Sequence, residues 1–157
     1  YQKGQKIADI VIATGAFRWE GTTRQYVPME YPAISTHEVV IALIEAAEQI
    51  GAGYHVGMTK SADGFYAGMA FGGYQQSWMR SIEADLIKAN IVSVEMDAST
   101  ILTLGNLFRL GAGSLCSIID LVMTDATEKP GRELSIEEAF HPNQSSSSAH
   151  VVVPSKP

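Results

Sequence analysis

This chain of 157 residues is short of several things, and each shortage narrows what it can do. It holds one cysteine, Cys116, so no disulfide can form within the chain. Cys116 lies in the apolar run from Ser114 to Val122 and reads as a buried reduced thiol, which points to a cytoplasmic setting. Basic residues are few: 11 Lys and Arg stand against 17 Asp and Glu, a net charge of −6. They form no cluster, whereas nucleic-acid binders carry a basic patch or stripe, so no nucleic-acid partner is expected. No apolar run is long enough to span a bilayer and no signal-peptide pattern is visible, so no membrane partner is expected either. The sequence contains no G-x-S-x-G, P-loop, G-x-G-x-x-G or H-E-x-x-H. Acyl transfer, nucleotide hydrolysis, dinucleotide binding and zinc proteolysis therefore lack support.

What is present is a regular alternation. Ala8–Ala16 is β-branched and ends in glycine and alanine, as a strand does. Phe17–Ser35 is aromatic and polar, with Gly21, Pro28 and Pro32, and reads as a long loop. Loops of that length in a compact domain are often functional. Thr36–Ile50 is an amphipathic helix with Val39, Val40, Leu43, Ile44 and Ala47 on one face and Gly51 as its stop. Tyr54–Ser61 is a second strand, Asp63–Gly73 a glycine- and aromatic-rich loop, and Gln75–Lys88 a second helix. Ile91–Glu95 is strand-like and Asp97–Leu110 helical. Gly113–Val122 is nearly continuous in apolar residues, as expected of a strand buried on both faces. Ser135 and Glu138 have capping-box spacing for a further short helix. The pattern then dissolves. We read residues 1–140 as a single α/β domain and 141–157 as a mobile tail. The alternation predicts a mixed, mostly parallel central sheet flanked by helices on both faces.

Ligands in such folds bind at the carboxyl ends of strands. Three predicted ends carry polar groups: Ser61 to Tyr66, Glu95 to Asp97, and Asp120. Their convergence on one site is the expectation. Glu95 and Asp97 flank Met96 where a strand passes into a helix. Such acids can grip adjacent sugar hydroxyls while the methionine covers the apolar face of the ring. They also suit a metal or an acid/base pair, but a metal needs further ligands and no histidine lies nearby. A structural alternative is that Asp97 simply caps the helix. Asp120 lies near the end of the most apolar strand, where partial desolvation raises a carboxyl pKa and suits it to donate a proton. A structural pairing would explain it equally. Phe65 and Tyr66 can stack on a planar base or belong to the core. His37 and His55 read as structural, and Arg18 and Lys60 as solvated or paired charges.

Taken in order, these segments resemble the nucleoside phosphorylase family, the branch of uridine phosphorylases and hexameric purine nucleoside phosphorylases. Val94–Thr100 is similar to the family's V-E-M-E segment, with Asp97 where Glu is usual. Ser61-Ala-Asp-Gly-Phe-Tyr66 is similar to its S-A/S-D-x-F-Y, and Pro28-Met-Glu-Tyr-Pro-Ala33 to the P-L-E-F-P-A of uridine phosphorylases. The resemblance runs from about Ile7 to about Val122. It implies the family's three-layer fold and a pentosyltransferase that cleaves a nucleoside with phosphate as co-substrate and no other cofactor. Glu95, Met96 and Asp97 would bind ribose, Phe65 and Tyr66 the base, and Asp120, as in the purine enzymes, would protonate the leaving base. Met69 and Phe71 stand where uridine phosphorylases read uracil with Gln and Arg, so the resemblance implies a purine or relaxed base preference. The family's phosphate-binding segments precede the strand near Ile7 and have no match here. A nucleosidase of the same fold, or a non-catalytic nucleoside-binding or storage relative, are the alternatives. An uncovered sheet edge and apolar face lead us to expect a homo-oligomer, up to a hexamer, or pairing with an N-terminal segment.

Overall fold

The computed structural model describes residues 2–68, 74–119, 121 and 149–154. Its centre is a six-stranded mixed sheet of strand order β4-β3-β1-β5-β6, with the short β2 paired on β1. The strands are β1 (Ile10–Trp19), β2 (Ala33–Ile34), β3 (Tyr54–Ala62), β4 (Ile91–Glu95), β5 (Leu110–Ser117) and β6 (Ala149–Pro154). The helices are α1 (His37–Gln49), α2 (Phe65–Gly68), α3 (Gln76–Lys88) and α4 (Ala98–Leu107). Strands β1, β3 and β4 are parallel, as crossovers through α1 and α3 require, and β5 and β2 run antiparallel to β1.

Alternation along β5 sorts the helices into layers. Ala112 packs with Ala16, Ala33, Ala98 and Leu102, the cluster under α4. Its neighbour Gly113 faces Val39 and Leu43 of α1, so closely that a Cβ there would lie 2.5 Å from Val39 Cγ1. Leu115 joins Ile12, Val40, Leu43, Ile44 and Ala47 under α1. Successive residues of a strand point to opposite faces, so α1 and α4 cover opposite sides and the architecture is three-layered. The predicted apolar face of α1 is the one that packs.

The structure departs from the sequence reading at three places. First, β1 does not stop at Ala16. It runs on through Phe17, Arg18 and Trp19, paired with Lys60, Ser61 and Ala62 of β3. Phe17 and Trp19 share a face and stack at 5.7 Å, and Trp19 meets Trp78 of α3 at 5.6 Å. Arg18 points the other way and is buried. A bulge between Ala13 and Gly15 shifts the register and leaves Thr14 out. Second, α4 ends at Leu107, because Arg109 turns left-handed (φ 55°) and starts β5 early, at Leu110. Ile119 is then half exposed instead of lying in a fully buried strand. Third, the segment read as a mobile tail supplies Ala149–Pro154 as β6, paired antiparallel along β5 from Leu110 to Leu115. The capping box at Ser135 and Glu138 lies outside the described residues.

Two further features frame the site. Lys60 is not solvated: it is wholly buried and paired with Glu83 of α3. At the sheet edge, the side-chain amides of Gln2 and Gln5 donate to main-chain carbonyls of Ile87, Ile91 and Val92 at 2.8–3.0 Å, stitching the first residues of the chain to the start of β4.

Candidate functional site

Because β1, β3 and β4 are parallel, their carboxyl ends lie side by side. Arg18 pairs with Ser61 and Trp19 with Ala62, while Ser61 pairs with Glu95. The segments that follow, Glu20 onward, Asp63–Tyr66 and Met96–Asp97, therefore emerge from one edge of the sheet. The ends of β3 and β4 converge as expected, while the described part of β5 runs the other way. That strand is antiparallel, and Ile118 exchanges main-chain hydrogen bonds with Ala8 and Asp9 at the amino end of β1. At roughly 3.3 Å per residue the two ends of the ten-residue β1 are about 30 Å apart. An apolar run does not encode its own direction. Asp120, Met69 and Phe71 lie outside the described residues.

At the end of β4 the two acids have separate surroundings. Glu95 is half-buried and turned inward. Its Oε2 accepts the main-chain N–H groups of Asp97 and Ala98, each at 2.6 Å. Its Oε1 accepts the hydroxyl proton of Ser61, which is wholly buried, and Ser61 Oγ in turn accepts the N–H of Ser99 at 2.8 Å. Thr100 donates its N–H to the Asp97 carbonyl at 3.0 Å. The first-turn donors of α4, which a helix N-terminus otherwise offers to an anion, are thus taken by the chain itself. Asp97 occupies the N-cap position, yet its side chain makes no cap hydrogen bond, so the alternative reading of Asp97 as the cap belongs to Glu95 instead. Met96 and Asp97 are exposed.

Phe65 and Tyr66 open α2 three residues after β3, both exposed, with their rings edge-to-face at 5.4 Å. The loop of the sequence reading is thus helical at this point. The neighbouring strand ends bring this aromatic pair and the Met96–Asp97 turn to the same edge.

Sequence reasoning passed over a further acid there. Glu20 is buried and accepts the N–H of Thr23 at 2.9 Å and the Thr23 hydroxyl. Burial pushes its carboxyl pKa up, but hydrogen bonds, led by those from Thr23, together hold it below the usual value. The buried Ser99 hydroxyl, which makes no well-formed hydrogen bond, adds to the same effect and ties Glu20 to the first turn of α4. Thr23 Oγ1 also accepts from Arg18 Nε at 2.9 Å, and Arg18 donates to the carbonyls of Pro28 (2.7 Å), Met29 (3.2 Å) and Tyr31. The signal was the alternation in Phe17-Arg18-Trp19-Glu20, two aromatics on one face and two charges on the other. Trp19, Glu20, Gly21, Arg24 and Asp63 line a cavity of about 180 Å³. Its two carboxylates against one guanidinium do not suit a phosphate dianion. Among the described residues no group of three or more His, Cys, Asp or Glu is arranged to hold a metal ion, and no helix is long and apolar enough to cross a membrane.

An α/β sheet of this order, with a turn of two acids and a methionine at its carboxyl edge, defines a class, and comparison with known proteins agrees. The chain belongs to the phosphorylase superfamily, whose family model matches residues 1–153. It is 43% identical over 135 residues to a uridine phosphorylase of Thermococcus kodakarensis, covering 84% of this chain and 49% of that relative. It is 32% identical over 117 residues to a uridine phosphorylase of Klebsiella aerogenes, covering 72% and 46%. A guanosine phosphorylase of Halorubrum lacusprofundi is 33% identical over 117 residues, covering 74% and 44%. The chain spans about half the length of the curated relatives it matches. The resemblance drawn from its motifs to the nucleoside phosphorylases is thereby borne out.

Proposed function

We propose that this chain carries the ribose and base subsites of a nucleoside phosphorylase. The reaction is pentosyl transfer from a nucleoside to phosphate, giving a free base and ribose 1-phosphate. The observation that carries this reading is the exposed Met96–Asp97 turn beside the exposed Phe65–Tyr66 pair. Asp97 accepts hydrogen bonds from sugar hydroxyls, Met96 lies against the ring, and the base stacks on Phe65 with Tyr66 at its edge. Held there, the nucleoside breaks its C1′–N bond, the electron pair leaving with the base, while a phosphate oxygen bonds to C1′. The protein's part is positioning and electrostatic stabilisation. Phosphate is the co-substrate, and this reading assigns none of the described residues to it.

The names of the relatives include both uridine and guanosine phosphorylases, which supports nucleosides of either base class as substrates. The resemblance casts Asp120 as the proton donor to a purine. Asp120 lies outside the described residues, so the reading rests on ribose and base contacts alone. Asp120→Asn tests the point: inosine turnover slowed by about tenfold or more assigns the proton to Asp120, and an unchanged rate removes it from the chemistry.

The test of the whole reading is phosphorolysis of uridine, guanosine, inosine and adenosine with and without phosphate, beside Asp97→Ala. Ribose 1-phosphate formed only with phosphate and lost in Asp97→Ala is the expected result. Free ribose made without phosphate marks a nucleosidase. No turnover, with nucleoside binding that Asp97→Ala leaves intact, overturns the proposal.

A further inference from the structure

The two acids of the Glu95-Met96-Asp97 turn have been treated as a pair, and the geometry separates them. An ionised carboxylate offers about four lone-pair sites. Three of those of Glu95 are used within the chain, by the Ser61 hydroxyl and the N–H groups of Asp97 and Ala98. Ser61 is wholly buried; its single proton goes to Glu95 and its oxygen takes the Ser99 N–H. These groups close one ring of hydrogen bonds from the end of β3, through the end of β4, into the first turn of α4. Met96 and Asp97 are the residues that ring leaves outside.

We infer that Ser61 and Glu95 are positioning residues, which together lock the amino end of α4 and so set the Met96–Asp97 turn, and that Glu95 is not itself a ligand of the sugar. The inference rests on the reading of Asp97 as a ribose ligand. It adds a residue, Ser61, with a defined task, and it gives the two acids different ones. A carboxylate at this place suits the helix dipole. Removing either partner leaves buried donors or acceptors of the ring unsatisfied, and the turn then relaxes. Because both residues act through one ring, their effects are not additive.

The experiment is calorimetric binding of uridine and guanosine, and of their 2′-deoxy and 3′-deoxy counterparts, to the full chain and to Ser61→Ala, Glu95→Gln, the double variant and Asp97→Ala. The wild type is expected to prefer a ribonucleoside over one deoxy counterpart by roughly tenfold or more, the value of a hydrogen bond to a charged group. Asp97→Ala removes that preference. Ser61→Ala and Glu95→Gln each reduce it by a similar factor, and the double variant reduces it no further. A purely structural role would weaken all the ligands equally and leave the ratio unmoved, which overturns the inference. Additive losses, or a Glu95→Gln loss that vanishes with one deoxy ligand and is absent in Ser61→Ala, make Glu95 a ligand and also overturn it. If Asp97→Ala binds every ligand as the wild type does, the ribose reading fails on its own. The ring is then judged by amide NMR. The Asp97 and Ala98 amides in Glu95→Gln, and the Ser99 amide in Ser61→Ala, are expected to shift and to exchange about tenfold faster. Unchanged amides overturn the ring as well.

Discussion

At the ends of β1 and β4 the chain makes the same connection twice. In each, a buried hydroxyl passes a hydrogen bond to a strand-end glutamate. Thr23 Oγ1 accepts from Arg18 and donates to Glu20; Ser61 Oγ accepts from the Ser99 amide and donates to Glu95. The difference lies in what each arrangement encloses. At β1 both charged side chains are closed in: Arg18 and Glu20 are 5% and 4% exposed, and the guanidinium is spent on the carbonyls of the loop from Pro28 to Tyr31. At β4 the glutamate is half-buried and the next two residues face outward. One relay closes a loop and the other displays a turn. An acid's place at a strand end thus says little about its task until its hydrogen bonds have been traced.

Substitutions should separate the two corners by size of effect. Arg18→Met should cost the most, about 3 kcal/mol or more, because three loop carbonyls and the buried Thr23 hydroxyl lose a charged donor. Urea denaturation measures this, and a loss below about 1 kcal/mol would mean that water replaces the guanidinium and the corner is less closed than described. Glu95→Gln should cost about 1 kcal/mol, the worth of a helix cap. A loss as large as that of Arg18→Met would erase the distinction between the corners.

Glu20→Gln sharpens the comparison through pH. The folded carboxyl pKa lies below its ordinary 4.5, so the stabilisation from ionised Glu20 is present above that value and fades as pH falls through the folded one. The gap in melting temperature between wild type and Glu20→Gln should be full near neutrality and close in acid. A gap that widens in acid would reverse the sign. Asp97→Asn should do least, leaving the melting temperature nearly where it was, since Asp97 is exposed and the change keeps the size and shape of its side chain. A clear drop would move Asp97 into the architecture.

Much of this was legible from residue order. The face of α1 followed from the spacing of Val39, Val40, Leu43 and Ala47, and the outward turn at Met96 followed from a β-branched strand meeting a helical pattern. The rest was hidden for physical reasons. Arg18 and Lys60 read in sequence as either solvated or paired charges, and only tertiary contacts with loop carbonyls and with Glu83 decide for the second and make their burial tolerable. The direction of β5 is set by a short left-handed turn at Arg109 and by pairing with distant strands, which periodicity does not record. Asp97 fits the cap in every propensity scale, yet Glu95 reaches the same N–H groups from the preceding strand, an arrangement that depends on Ser61 lying opposite it.

The glutamine stitches at the start of β4 have a dynamic consequence. An edge strand usually frays independently of the rest of its sheet, and opening free energies are lowest where few groups hold the backbone. Here Gln2 and Gln5 bind the Ile87, Ile91 and Val92 carbonyls, so residues 2–5, the α3–β4 corner and β4 should open as one cooperative unit. Since β4 ends in the Glu95 turn, the exchange rates of the Asp97 and Ala98 amides become a remote gauge of whether the first few residues of the chain are seated.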